Sequence, residues 1–322
     1  MRKFLLPENG KFYKANLHCH CTVSDGRWTP EEVKRRYQAA GYSVVAYTDH
    51  HLYVPHNELT DDTFVALNGI EIGAIDGAAK KTRKNCDFSL IALTPNIPHS
   101  PRFDTTQGIP DELGRYVLMK FDPDFVNAVL ADARQMGFFV TLNHPTWSLL
   151  EYTDYMAYNG MHAMEICNYG CVVAGHDEHN AKIYNDMLRA GKRLFCVATD
   201  DNHCKPELPD YFGGFTMIKA QDLTYEQITA ALVQGNFYAS EGPLIESLWY
   251  EDGTVSITTS PVQGITITKP GRNIKLVKNE NQLITQASFT VDEDDGYFFI
   301  TAIGADGKKA YTNAYFPADL CL

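Results

Sequence analysis

Short apolar runs alternate with capped helical patterns along most of this chain, and this alternation restricts its possible folds more than any other feature. The pattern persists to about residue 240. In one unit, Thr29-Pro30-Glu31-Glu32 supplies an N-cap, a proline at the first helical position and a glutamate at the third, and Gly41 ends the helix. Strands that alternate with helices indicate parallel strands joined by crossovers. The number of units predicts an α/β fold, a closed or nearly closed β/α (TIM-like) barrel of seven or eight strands.

The elements of this barrel are predicted from the apolar runs and from helical periodicity. The predicted strands are 14–18, 43–48, 64–67, 88–93, 138–142, 163–166, 194–198 and 215–218. Helical patterns follow Thr29 and occupy 124–136, 176–190 and 224–234.

The rhythm changes at about Pro243. Segments such as 255–258 and 265–268 alternate apolar with polar residues, and turn formers such as Glu251-Asp252-Gly253 separate them. The sequence therefore predicts two domains. A β/α barrel covers residues 1–242, and a small antiparallel, sandwich-like β module covers residues 243–322.

Charge and composition exclude several classes of protein. Among the 322 residues, Lys+Arg total 28 and Asp+Glu total 40, a formal net charge of −12. This balance disfavours extended nucleic-acid binding but permits a small anionic substrate in a pocket whose charge is set by bound metal ions. No apolar stretch approaches the roughly 20 residues that span a bilayer. Because the first residues turn polar early and the 8 cysteines form no C-x-x-C pair, we expect a cytoplasmic protein without membrane contact.

Histidines and acids gather just beyond the apolar runs. Of the 11 histidines, five directly follow a predicted strand, and carboxylates occupy the same kind of position. The strand ends of a β/α barrel open onto one face, so these side chains should converge. The residues predicted to bind metal are His18, His20, Asp25, His50, Glu71, His144, Asp201 and His203.

The spacing of these residues favours shared metal ions. His18 and His20 stand two apart, so both side chains of a strand point the same way, and Asp201 with His203 repeats this spacing. Imidazole and carboxylate without thiolate suit zinc, manganese or iron in an open site. Eight groups exceed the needs of one tetrahedral ion. We therefore expect two or three divalent metal ions, with Glu71 as the bridging carboxylate.

The motifs resemble those of the PHP (polymerase and histidinol phosphatase) metallohydrolases in order and spacing over about residues 12–220. They are His18-Cys19-His20 with Ser24-Asp25-Gly26, Thr48-Asp49-His50, Gly69-Ile70-Glu71, Asn143-His144-Pro145 and Asp201-Asn202-His203. Segments 163–168 and 235–243 further resemble a two-domain branch with a C-terminal β module. That branch includes carbamate-hydrolysing relatives.

The resemblance implies a distorted seven-stranded β/α barrel with up to three metals. The implied ligand sets are His18, His20, Glu71 and Asp201 for one ion, Asp25, His50 and His203 for another, and Glu71 with His144 for the third. The chain departs from the pattern at Ser89, where many relatives place a further histidine for the third ion. His99, ten residues on, is an alternative donor, and whether the third ion binds stays open.

The sequence predicts a metal-dependent phosphoesterase that acts on a small phosphomonoester or a nucleotide-like phosphate through a metal-activated hydroxide. A histidine or aspartate near the outer metal would protonate the leaving alkoxide, and the catalytic candidates are His50, Asp201 and His203. One alternative is an ester, carbamate or amide hydrolase on the same cluster, which would need fewer metals and fewer cationic groups. Another is a non-catalytic, metal-stabilised scaffold.

Four further residues are candidates for contact with substrate. They are His51, Asn168, His176 and His179. His176 and His179 are expected to open a helix, and a helix N-terminus that faces the pocket would favour a phosphate group.

Overall fold

A computed structural model of the chain describes residues 2–76, 83–99 and 121–320. The helices in these ranges are α1 (Pro30–Ala39), α2 (Pro123–Gln135), α3 (Tyr152–Ala157), α4 (Tyr169–Val173), α5 (Ala181–Arg189) and α6 (Tyr225–Gln234). Helix α1 begins as predicted, because the Thr29 side chain accepts a hydrogen bond from the Glu32 N–H and Pro30 occupies the first turn.

The same ranges contain seventeen strands, ten before residue 243 and seven after it. The first ten are β1 (Lys3–Phe4), β2 (Lys11–Asn16), β3 (Val44–Tyr47), β4 (Val65–Ile75), β5 (Asn85–Ala92), β6 (Phe138–Leu142), β7 (Ala163–Asn168), β8 (Phe195–Thr199), β9 (Phe215–Ala220) and β10 (Phe237–Ser240). The strands that follow are β11 (Ile245–Glu251), β12 (Thr254–Val262), β13 (Gly264–Thr268), β14 (Ile274–Lys278), β15 (Ile284–Thr290), β16 (Phe299–Ile303) and β17 (Lys309–Thr312).

Strands β2 to β8 lie side by side in chain order. The pairs β2–β3, β3–β4, β6–β7 and β7–β8 are parallel, as predicted. Strand β5 is antiparallel to both β4 and β6, so the prediction of parallel strands throughout is wrong there. Only residues 76–84 separate β4 from β5, fewer than the dozen or more that a parallel crossover requires.

The mixed α/β class is confirmed, but strand pairing does not close a barrel within the described ranges. Strand β9 is antiparallel to β2 along one edge and to β10 along the other, so the prediction of parallel strands is wrong there too. Because both edges of β9 are already hydrogen-bonded to other strands, β8 does not pair with β9. Strand β8 is the last strand of the sheet and contacts β9 through a side chain, where the Thr216 hydroxyl donates to the Ala198 carbonyl oxygen at 3.0 Å.

Antiparallel strands form the C-terminal part, as predicted. A second sheet has the order β1-β11-β12-β15, and its apolar residues share a core with those of β13, β16 and β17. Leu248 and Ile257 on one side and Ile265 and Ile300 on the other are fully buried there. Strand β17 also pairs with β10, so the large sheet continues past residue 243. The division into domains at that residue stays a prediction.

Two smaller expectations concern the cysteines and membranes. Seven cysteines are buried and form no disulfide, whereas Cys321 lies outside the described residues. Among the helices of the described ranges, none combines the length and apolar character needed to cross a membrane.

Candidate metal centre

Seven of the eight predicted metal ligands lie on loops at one edge of the sheet. Because β2, β3, β6 and β8 run in the same general direction, their carboxyl ends meet there. His18 and His20 follow β2, His50 follows β3, His144 follows β6, and Asp201 and His203 follow β8. Glu71 differs from the prediction, because it lies within β4 and not at its end. Strand β4 continues past Gly69 to pair with β5, and an isolated parallel bridge joins Glu71 to His50.

The structure brings all eight predicted ligands together. They form three overlapping groups in which the ligand atoms lie within 4.8 Å of one another. The groups are His18 with His20 and Asp201, His18 with Glu71 and His144, and His20 with Asp25, His50 and His203. His18 and His20 each belong to two groups, so the three form one continuous cluster.

The Glu71 carboxylate lies at the centre of this cluster. Its Oε1 is 3.3 Å from His18 Nε2 and 3.3 Å from His144 Nε2. Its Oε2 is 2.8 Å from His50 Nδ1 and 3.4 Å from His20 Nε2. Although it is buried, this Oε2 has no aligned hydrogen bond within the described ranges. One carboxylate therefore faces four imidazoles with one oxygen unsatisfied, as expected of a bridging metal ligand.

The orientation of His18 directs a lone pair into the cluster. Its Nδ1 lies 2.8 Å from Glu165 Oε1 and must donate, since a carboxylate only accepts. The Nε2 of a neutral His18 then carries a lone pair, which faces Asp201 Oδ1 at 3.2 Å as well as Glu71. Two hydrogen-bond acceptors that face each other repel unless a proton or a cation lies between them.

His203 repeats this arrangement at the outer side of the cluster. Its Nδ1 lies 3.1 Å from the Asp201 carbonyl oxygen and donates to it. Its Nε2 faces Asp25 Oδ2 at 3.5 Å, again one acceptor against another. An imidazole that is fixed through one nitrogen and offers the other is the usual arrangement of a metal ligand. The donor set, imidazole and carboxylate, fits divalent zinc, manganese or iron.

Charge and burial set the protonation of the metal-free cluster. Burial lowers the pKa of His20 and of His144, but the surrounding carboxylates outweigh burial and raise these values to about 9 and about 10. Burial raises the pKa of Glu71, but the positive charge of His18 prevails and holds it well below its usual range. Burial and the nearby His20 lower the pKa of His203 to about 4. At neutral pH, protons therefore occupy the inner imidazoles where cations would bind.

A buried carboxylate that the sequence analysis did not assign lies behind the cluster. Glu165, within β7, is 0% exposed. Its Oε1 accepts from His18 Nδ1 and, at 2.7 Å, from the Thr199 hydroxyl. Its Oε2 accepts from the His144 N–H at 2.7 Å and from Asn168 Nδ2 at 2.8 Å. The signal in the sequence that could have identified Glu165 was a single glutamate within the otherwise apolar run 163–167.

Five residues of the cluster line an open pocket of about 420 Å³; they are Asp25, His50, His144, Asp201 and His203. His51 lines this pocket, as predicted, together with Trp147 and Lys205. Asp87 also lines it, and the sequence analysis missed this residue because it singled out Ser89, two positions along the same strand. A Cβ on Gly73 would lie 2.1 Å from Asp87 Oδ1, so Gly73 leaves the space that the carboxylate occupies. Burial and the negative charge of Glu71 raise the pKa of Asp87 to about 7.

Other predicted residues lie elsewhere. Asn168 is fully buried and does not line the pocket; its amide donates to Glu165 and to Asp201 Oδ2. Ser89 is buried and accepts a hydrogen bond from Asn143 Nδ2 at 3.0 Å. His99 is exposed and belongs to none of the groups of possible metal ligands found among the described residues.

His176 and His179 do not open a helix, contrary to the prediction. Helix α5 begins at Ala181, because residues 178–180 first pair with the end of β7. The Asn180 N–H donates to the Ile166 carbonyl oxygen at 2.8 Å. Neither histidine lines the pocket: His176 is exposed, and His179 contacts Glu241.

Comparison with known proteins supports the fold. No family model matches the sequence, and no curated protein matches it significantly. A structurally similar protein from Bacteroides vulgatus is a two-domain protein containing a predicted PHP-like metal-dependent phosphoesterase. It is 16% identical, the match covers 97% of this chain and 98% of that one, and the TM-score is 0.50. An amidohydrolase from Chromobacterium violaceum, with sulfate bound and no metal, is 14% identical over 61% of this chain and 90% of its own, with a TM-score of 0.41.

The likeness to the Bacteroides vulgatus protein spans both parts of this chain. The resemblance to two-domain PHP-like proteins is therefore confirmed at the level of the fold.

Proposed function

We propose that this chain is a metal-dependent hydrolase whose ions bind in the cluster around Glu71. The observation that carries the proposal is the convergence of eight imidazole and carboxylate groups brought from separate strands; five of these groups line one open pocket. Two or three divalent ions would occupy the three overlapping groups. Ions bound there would polarise the bond to be cleaved and lower the pKa of a water molecule.

The residues behind the ligands would fix their orientation. Glu165 holds His18, and the Asp201 carbonyl oxygen holds His203, each through Nδ1, so that both Nε2 atoms point into the cluster. Because His203 is neutral and Asp201 ionised at neutral pH, both suit ligation better than proton donation.

Asp87 is better suited to transfer a proton than the histidines expected from the sequence. Its carboxyl group lines the pocket, and its pKa is raised to about 7 by burial and by Glu71. Cations on the neighbouring ligands would lower that value, so near neutral pH the carboxylate would be largely ionised and able to accept a proton from the attacking water. We assign Asp87 the role of general base.

A small phosphomonoester or nucleotide-like phosphate is the proposed substrate. Divalent ions would offset the charge of the carboxylate ligands Asp25, Glu71 and Asp201 and present positive charge to an anion. Lys205 adds a cation at the wall, and about 420 Å³ suits a small molecule.

One observation favours the alternative, an ester, carbamate or amide hydrolase. Among the described residues that line the pocket, Lys205 is the single lysine or arginine. A neutral carbonyl group needs fewer cationic partners than a phosphate dianion.

Paired substrates would test the proposal. Metal-free protein would be reloaded with Mn²⁺ or Zn²⁺ and assayed with p-nitrophenyl phosphate and p-nitrophenyl acetate. We expect metal-dependent phosphate release that His18→Ala and Asp201→Ala each reduce by at least 100-fold, while the control His176→Ala keeps the wild-type rate. Cleavage of the acetate alone would establish the alternative, and no metal-dependent cleavage of either substrate would leave the scaffold hypothesis.

A further inference from the structure

Two more groups of possible metal ligands lie outside the larger cluster, and one of them forms where three distant parts of the chain meet. Cys167 is in β7, His179 lies in the segment before α5, and Glu241 directly follows β10. Their ligand atoms lie within 4.8 Å of one another. None of the three lines the pocket described above.

The backbone brings the first two side chains together. Cys167 and His179 face each other in an isolated antiparallel bridge, so both side chains lie on the same face. Glu241 reaches them from the antiparallel part of the large sheet, where its N–H donates to the Lys309 carbonyl oxygen at 3.0 Å. His179 Nε2 is 3.0 Å from Glu241 Oε1.

A hydrogen-bonded ion pair between His179 and Glu241 accounts for only part of this arrangement. Glu241 is only 8% exposed, yet its Oε2 has no hydrogen-bond partner among the described residues. A buried carboxylate oxygen without a partner destabilises the fold. The fully buried Cys167 thiol lies beside it. The Cys167 thiol, a weak donor that interacts with the Glu241 carboxylate, offsets that destabilisation only in part, and a metal ion would remove it.

The orientation of His179 also suits metal binding. Its Nδ1 is 3.5 Å from Asp177 Oδ1. Metal-binding histidines commonly hold a carboxylate with one nitrogen and bind the metal through the other. His179 is the most exposed of the three side chains, at 31%, so an ion could enter from its side.

We propose that Cys167, His179 and Glu241 form a second metal site, which binds one zinc ion and joins β7 to the turn after β10. Thiolate, imidazole and carboxylate together are a donor set for zinc. Zinc distances of about 2.0–2.3 Å would require the ligand atoms to move together by about 1 Å. Strand β7 also carries Glu165, so the ion would fix the strand that supports the larger cluster.

Cobalt absorption separates this site from the larger cluster. That cluster offers only nitrogen and oxygen ligands, so a thiolate-to-cobalt charge-transfer band reports a cysteine ligand outside it. Two cysteines belong to groups of possible ligands, Cys167 and Cys21, so variants must assign the band. We would add Co²⁺ to metal-free, full-length protein. The band should appear in the wild type and persist in Asp201→Ala, which damages only the larger cluster. Cys167→Ser should abolish it, whereas the matched control Cys196→Ser, another buried thiol, should retain it.

A second variant keeps the test informative if Cys167→Ser fails to fold. Glu241→Gln preserves shape and should weaken cobalt binding, measured by the same band, about 10-fold or more. The proposal is overturned if saturating Co²⁺ gives no thiolate band in the wild type, if the band survives Cys167→Ser, or if Glu241→Gln binds cobalt as tightly as the wild type.

Discussion

Replacing Glu165 by glutamine tests how the buried carboxylate controls its neighbours. Each Glu165 oxygen accepts two hydrogen bonds, and the substitution turns one oxygen into an NH₂ group. At the Oε2 position the partners are the His144 N–H and the Asn168 amide nitrogen. Neither can accept a hydrogen bond from the new NH₂ group. The His144 N–H is a donor, and Asn168 presents its amide nitrogen because its Oδ1 already caps the Cys171 N–H at 3.0 Å. The new NH₂ group must therefore take the Oε1 position.

At that position His18 has to change its tautomer. The Thr199 hydroxyl can turn to accept, but His18 Nδ1 can accept only if its proton moves to Nε2. The Nε2–H then points at Glu71 and Asp201, where a metal ion would bind. Loss of such an orienting carboxylate typically weakens metal binding by about 10- to 100-fold. That factor corresponds to about 1.4–2.7 kcal/mol of binding free energy.

Competition with a chelator would measure the metal affinity, and urea unfolding would measure the stability of the metal-free protein. Asp200→Asn is a matched control. Asp200 is also a buried carboxylate with four hydrogen-bond donors, among them the Gly213 and Gly214 N–H groups, but it touches no imidazole of the cluster. Both variants should lose about 1–3 kcal/mol of unfolding free energy. Only Glu165→Gln should lose metal affinity, and wild-type affinity in that variant would refute the tautomer argument.

Three further predictions concern pH, space and the C-terminal core. The metal-free protein should lose stability as pH rises from about 6.5 through 9–10. The reason is that His20 and His144, whose folded pKa values are raised to about 9 and about 10, then release stabilising protons. A flat profile of melting temperature against pH would contradict these shifts. Gly73→Ala should lower the turnover of the metal-loaded protein at least 10-fold, because the added Cβ displaces the Asp87 carboxylate. Asp87→Asn should have the same effect, and unchanged kcat in both variants would show that Asp87 takes no part in the reaction. Leu248→Ala, at a fully buried position, should cost about 2–5 kcal/mol of unfolding free energy without changing metal affinity; parallel urea and chelator titrations would show whether the effects separate.

The sequence was informative wherever function depends on local spacing. His18 and His20, two apart after an apolar run, lie together in the structure because a strand end presents both side chains to one edge. The same reasoning located Asp201 and His203. Sheet topology was harder to predict, because the antiparallel direction of β5 depends on the length of a connection, which hydrophobic patterns do not report.

Long-range partners were beyond the reach of patterns. Glu165 meets His18 across 147 positions, and His179 meets Glu241 across 62. The sequence analysis singled out Ser89 and missed Asp87, although both side chains lie on one face of the same strand. Helix α5 begins later than its periodicity suggested, because pairing with β7 competes for the preceding residues.

Anomalous diffraction from crystals grown with Mn²⁺ or Zn²⁺ would test the central claim most directly. The account predicts two or three anomalous peaks beside Glu71, within bonding distance of imidazoles from the ends of β2, β3, β6 and β8. Metal-replete crystals without a peak at Glu71 would contradict it.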